Sequence, residues 1–115
     1  MTIGTGRLRE RIAFDRRVEV DDGAGNTVGD WAEQFAAAAR VMPLRGSEAV
    51  QAARLAGRQP VVITIPMSRQ ARAIGPDWRA RDVRSGAVYA ITAPPADMGE
   101  RGQYLDIFAT TGAAA

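Results

Sequence analysis

Between Arg11 and Val20 apolar and charged residues alternate with period two. Ile12, Phe14, Val18 and Val20 fall on one parity, and Arg11, Asp15, Arg17 and Glu19 fall on the other. Successive side chains of an extended strand point to opposite faces, so this pattern predicts a half-buried β-strand and commits the chain to a sheet with one wet face. Arg16 interrupts the apolar parity and is expected near a sheet edge or against a partner surface. Asp21 to Asp30, D-D-G-A-G-N-T-V-G-D, follows with three glycines and an asparagine. These residues supply positive-φ positions at little steric cost and predict a long hairpin loop.

Trp31 to Leu44 carries two patterns at once. Asp30 with Glu33 forms a plausible capping pair, Trp31, Phe35, Ala38 and Met42 recur at helical spacing, and four consecutive alanines favour helix. Trp31, Phe35, Ala37, Ala39 and Val41 also share one parity, as a strand requires, and Pro43 ends either element. Gly46 to Gly57 is better punctuated as a helix: Ser47 can cap it, Glu48 suits the positive end of the dipole, and glycines bound it. Its apolar stripe of Val50, Ala53 and Ala56 is thin, which predicts a segment lying loosely on its own domain or packing on a neighbour.

Val61 to Ile65 is a β-branched run opened by Pro60 and reads as a buried strand. Met67 to Asp77 is polar and irregular, with Arg69 and Arg72 expected to be exposed. Trp78 to Arg84 and Ala87 to Thr92, joined at Ser85-Gly86, read as a hairpin that Pro94-Pro95 ends. Gln103 to Ala109 supplies a last strand, and residues 112–115 are expected to be a disordered tail. The expectation is a mainly β fold: a small antiparallel β-barrel of five or six strands with one short helix or extended excursion, forming a single domain over 1–111. Residues 1–10 would be an N-terminal arm and 45–59 the excursion.

Composition then limits the chemistry. The chain has no histidine and no cysteine, and all fifteen of its positive charges are arginine. Ser-His-Asp and Cys-His nucleophiles are therefore impossible, as are Cys/His zinc sites, Schiff-base chemistry and the lysine of a P-loop. Carboxylate chemistry or binding remains, and no pair of acids is marked out by its surroundings, which argues for a non-enzyme with no cofactor and no metal. Asp21, Asp22 and Asn26 lack the spacing and terminal glutamate of a calcium loop. The pI of about 9.9 rests on a net charge of only +2, so it describes a mixed, solvated surface rather than a nucleic-acid patch. No signal-peptide pattern or long apolar run is present, and a soluble product made in the bacterial cytoplasm is expected.

Three stretches in order are more specific than any alone: G-R-L-R-E-R-I at 6–12, D-D-G-A-G-N followed by Trp31, and A-R-V-M-P-L-R-G-S-E at 39–48. V-Y-A-I-T at 88–92 and Y-L-D-I at 104–107 extend the likeness over nearly the whole chain. The sequence resembles the head-closure proteins of tailed phages, also called head-tail joining or stopper proteins, and the related component of gene transfer agents. After Val61–Ile65 it departs from the family's usual arginine and aromatic, carrying Pro66-Met67-Ser68.

The resemblance implies a structural head-tail connector. Its small β-barrel would assemble with copies of itself into a ring, commonly dodecameric, at the head-tail junction of a virion or gene transfer agent particle. The ring would sit below the portal and adaptor, close the DNA channel and dock the tail, touching packaged DNA transiently and no membrane. It also implies that 31–44 is strand. Within that frame Arg7, Leu8, Arg9, Arg11, Glu48 and Val50 are expected at subunit or adaptor interfaces. Arg45, Arg54 and Arg58 are expected to face the channel or a neighbouring subunit. Trp31 and Trp78 are expected as core or interface anchors. The alternatives are a tail-terminator or adaptor of the same particle, or a small OB-like nucleic-acid-binding module. With seven aromatics in all, the chain has few to spare for base stacking.

Overall fold

The computed structural model describes residues 8–93, 96–97 and 103–111. In chain order the elements are β1 (Glu10–Asp21), β2 (Thr27–Pro43), α1 (Glu48–Leu55), β3 (Gln59–Pro66), α2 (Arg69–Arg72), β4 (Arg79–Asp82), β5 (Val88–Ile91), β6 (Ala96–Asp97) and β7 (Tyr104–Thr111). Every pairing is antiparallel, in the order β3-β2-β1-β4-β5-β7-β6, and β7 also pairs with β3 along its whole length. Six strands thus close into a ring, barrel-like, and β6 adds two residues to β7 beyond the end of β5. Closure leaves few unpaired edges within the ring itself. The mainly β expectation with one short helix holds, and α2 adds a single helical turn inside the stretch read as irregular.

The inner face collects Ile12 and Phe14 from β1, Ala39 from β2, Val61, Ile63 and Ile65 from β3, Ala80 from β4, and Leu105, Ile107 and Ala109 from β7. Trp78, Ile74 and Ala71 close one end of this core, with Ser68 capping α2 by accepting from the Ala71 amide at 3.0 Å. Phe14 and Phe35 stack with ring centroids 5.0 Å apart.

The helix and strand signals of Trp31–Leu44 resolve as strand. Phe35, Ala37 and Val41 pack against the core beside Ala39, and the backbone is paired with β1 over Thr27–Ala39 and with β3 over Arg40–Pro43. Helix propensity differs by only a few tenths of a kcal/mol per residue, less than burial and pairing supply. One residue of the shared parity departs. The register passes from Phe14↔Phe35 to Asp15↔Glu33, leaving Gln34 as the extra residue of a β-bulge. Glu33 and Trp31 therefore lie on the outer face, opposite to Phe35.

The hairpin loop is shorter than expected, because Thr27–Asp30 continue the strand and only 22–26 turn. The acids of the loop cap its own amides: Asp21 Oδ1 accepts from Gly23 N at 2.9 Å and Asp22 Oδ1 from Ala24 N at 2.8 Å. Gly23 (φ 83°) and Gly25 (φ 87°) occupy the left-handed region that the turn needs. Among the described residues no cluster of three or more potential metal ligands exists.

Candidate functional site

Two features stand out from the closed sheet, at opposite ends of β2. At its C-terminal end the chain leaves Pro43, forms α1 and re-enters as β3. Both legs of this excursion are pinned: Leu44 N donates to Pro60 O at 2.9 Å, and Gln59 Nε2 donates to Leu44 O at 2.9 Å. Gln59 already belongs to β3, so the excursion closes at Arg58, one residue earlier than expected. Ser47 caps the helix, its Oγ accepting from Val50 N at 3.1 Å, with Glu48 in the first turn and Arg54 in the last. No residue of α1 is buried, and Leu55 is 89% exposed. Val50 and Ala53 are only half-covered, so such a helix is held largely by its caps and legs, and Leu55 is left almost bare.

The structure places Arg45, Glu48, Val50, Arg54 and Arg58 together on this segment, all exposed except half-buried Val50. None of the four charged residues has an ion pair among the described residues. The N-terminal set is divided. Arg9 and Arg11 are exposed, and their carbonyls accept from Arg84 Nη1 at 3.0 Å and Val83 N at 3.0 Å. Leu8 is 8% exposed, its side chain covered within its own chain. Arg7 and residues 112–115 lie outside the described residues.

At the other end of β2 a two-stranded ribbon extends from the ring. β4 pairs with β1 only as far as Asp15, and β3 pairs with β2 only from Arg40. Among the described residues, Arg16–Asp21 and Thr27–Ala32 consequently pair only with each other. Val20 is 41% and Val28 47% exposed on the ribbon face that also carries Arg16 and Asp30. A groove of about 390 Å³ runs beside it, lined by Arg17, Val18, Glu19, Thr27, Val28, Gly29 and Asp77.

The root of this ribbon carries a charged cluster that the sequence reading missed. Asp15 is 2% exposed although it lies on the outer face. It accepts from Arg79 Nε at 2.8 Å, from Arg81 Nε at 3.2 Å and from Arg81 Nη2 at 3.3 Å. Arg81 also donates to Glu33 at 2.8 Å. Arg79 lies 4.7 Å and Arg17 5.5 Å from the Trp31 ring centroid, so the indole covers the guanidinium that covers the acid. Burial alone raises the pKa of Asp15, but the hydrogen bonds and charges of Arg81 and Arg79 outweigh it and hold the carboxyl below its ordinary value. A signal was present: Arg79 and Arg81 share a parity in R-A-R-D, and Asp15 lies on the polar parity of β1. Nothing in either stretch says that they are neighbours.

The buried acid is neutralised by two arginines, and the charged residues of the excursion are three arginines and one glutamate, a set that suits binding and assembly. The virion of a native gene transfer agent particle contains a chain of like structure, 25% identical, with a TM-score of 0.61 over 93% of this chain and 96% of that one. The solution structure of a Shigella flexneri 2a protein, 22% identical, superposes with a TM-score of 0.68 over 98% of this chain and 100% of that one, a likeness of fold alone. A search of the curated proteins finds no match. The model of the phage head completion protein family matches residues 3–112, and the chain belongs to that family.

Proposed function

We propose that this protein is a non-enzymatic connector at the head-tail junction of a tailed phage or gene transfer agent particle. Copies stand side by side as a ring, of about twelve in the resembled proteins, below the portal and adaptor. The ring closes the DNA channel and receives the tail. The observation that carries this reading is α1. A capped helix on pinned legs, with no buried residue and a nearly bare Leu55, is built to meet another molecule. Arg45, Arg54 and Arg58 supply phosphate or carboxylate partners there, and Glu48 is available to an arginine of the next subunit. Arg9 and Arg11, with Val50, supply further contacts to a neighbour or the adaptor.

Electron microscopy of particles from a strain lacking this gene tests the reading. DNA-packaging heads without tails, beside free finished tails, are expected; intact tailed particles would refute it. Charge reversal, Glu48→Arg, is expected to block ring completion without unfolding the monomer, because Glu48 has no ion pair among the described residues. Normal rings of that variant would remove Glu48 from the interface.

A further inference from the structure

The ribbon of Arg16–Asp21 and Thr27–Ala32 has two edges with no strand partner among the described residues, and they match each other. A lone two-stranded ribbon is marginal in water, and this one also exposes Val20 and Val28. Neither arm contains proline, so every outward amide of both edges can donate to a further strand. The Asp22 amide donates to the Asn26 carbonyl at 3.0 Å. Ladder bonds alternate from that pair, which turns the amides of Arg17, Glu19 and Asp21 outward on β1 and those of Thr27, Gly29 and Trp31 outward on β2. In keeping with this, the Trp31 amide donates to the carboxylate of Asp30 at 2.8 Å.

We propose that copies of this chain join by strand addition, the β1 ribbon edge of one pairing with the β2 ribbon edge of the next. When two copies stand side by side with ribbons pointing the same way, these edges are antiparallel. Outward residues then meet outward residues: Arg17 with Trp31, Glu19 with Gly29 and Asp21 with Thr27, forming about six ladder bonds. On the apolar face Val20 meets Val28. Arg16, which has no ion pair among the described residues, comes diagonally beside Asp30 of the next copy. The arriving carbonyl of Arg17 takes over the Trp31 amide, releasing Asp30 toward Arg16. Two different edges meet in this contact, so it is head-to-tail, and only closure into a ring leaves no edge open. The inference rests on the ring reading above and names the surface that makes the ring.

The absence of cysteine makes the test clean. Val20→Cys and Val28→Cys chains carry one thiol each and cannot close a disulfide internally. Mixed and oxidised, they are expected to give a covalent dimer holding one of each, roughly tenfold above either variant oxidised alone. Adding Glu19→Pro to the Val20→Cys chain removes an outward amide and spares the internal ladder. It is expected to lower the mixed dimer about tenfold while the far-ultraviolet circular dichroism of the chain is kept. Should Glu19→Pro unfold, Arg16→Asp in its place is expected to lose the mixed dimer and to regain it when Asp30→Arg is placed on the other chain. A mixed dimer that is absent, or undiminished by both disruptions, overturns strand addition. If wild-type rings are nevertheless seen by electron microscopy, the ring reading stands and only this interface falls; a chain that never forms rings takes both readings down.

Discussion

Replacing Asp15 by asparagine keeps the shape of the side chain and removes the charge at the root of the ribbon. The Asp15 side chain is 3% exposed and those of Arg79 and Arg81 are 21% and 29% exposed, so all three ions are largely withdrawn from water. Losing one member of such a group costs more than the group contributes as a whole, because two cations remain poorly solvated. Three charge-assisted hydrogen bonds are weakened. Arg81 keeps Glu33 at 2.8 Å, Arg79 keeps the Trp31 ring, and both guanidinium groups can turn partly to solvent. These compensations place the cost at about 2–3 kcal/mol, below the full loss of a buried pair. For a chain of this size that corresponds to a fall in Tm of roughly 8–12 °C.

The measurement is thermal unfolding followed by circular dichroism at pH 7 and at a series of acidic pH values. Asp15 has a folded pKa held below its unfolded value, so its stabilisation is fully present above the unfolded pKa and is lost as pH falls through the folded one. Wild type and Asp15→Asn are therefore expected to differ by a constant amount from neutrality down to about pH 5 and to converge below about pH 4. A fall in Tm of under about 2 °C at pH 7, or a difference that persists unchanged into strong acid, would show that the cluster does not hold the ribbon as argued.

Four further outcomes are expected. Thr64 is fully buried on the outer side of β3 and its Oγ1 donates to Asp106 Oδ1 at 2.7 Å, so Thr64→Val should cost about 1–2 kcal/mol in urea unfolding, since the acid loses a partner that water replaces only in part. Gly29→Val would set a Cβ 2.6 Å from Arg17 Nη2; the guanidinium is flexible and can move, so stability should change by under about 1 kcal/mol while the fluorescence of Trp31 in a Trp78→Phe background shifts as Arg17 leaves the ring. Ser47→Ala removes the cap of a helix that buries nothing, so faster amide hydrogen exchange is expected across Val50–Leu55 with the global Tm nearly unchanged. Tyr89 is raised by burial and by the charges of Asp82 and Glu10, so its phenol should titrate above the ordinary tyrosine range in absorbance at 295 nm, and the stability tied to it should decline as pH rises past the unfolded value.

The legible parts of this fold were those set by local pattern with one buried face. β1 declared itself through Ile12 and Phe14, α1 through Ser47 and its bounding glycines, and the β4–β5 turn through Ser85-Gly86, where Asp82 Oδ1 accepts from the amides of Arg84 and Ser85. β2 was open on its residues alone, because alanine fits helix by propensity and strand by size; the family resemblance, and then the core-facing parity of Phe35, Ala37 and Ala39, decided it. The bulge at Gln34 could not be read, since a one-residue slip is a property of the pairing and not of either strand. Asp15 looked like a member of a solvated face for a similar reason: the arginines that bury it arrive from 64 and 66 residues further along the chain.

The length of β2 ties the two candidate surfaces together. Seventeen residues of strand span up to about 56 Å at about 3.3 Å each, close to the longest extent of the molecule at 53 Å. The ribbon and the α1 excursion therefore lie at the two ends of one strand, which the closed sheet holds through β1 over Glu33–Ala39 and through β3 over Arg40–Pro43. A ring built by pairing ribbons would align these strands and present every α1 on the same rim, so the contacts that close the ring and the contacts that meet the next component would occupy different faces. The Asp15 cluster lies where the ribbon leaves the sheet, and its ion pairs and stacked indole stiffen that joint. On this argument Asp15→Asn should impair ring formation more than its loss of stability accounts for, and should do so at temperatures where the variant remains fully folded. An assembly defect that tracks the folded fraction alone would separate the joint from the assembly.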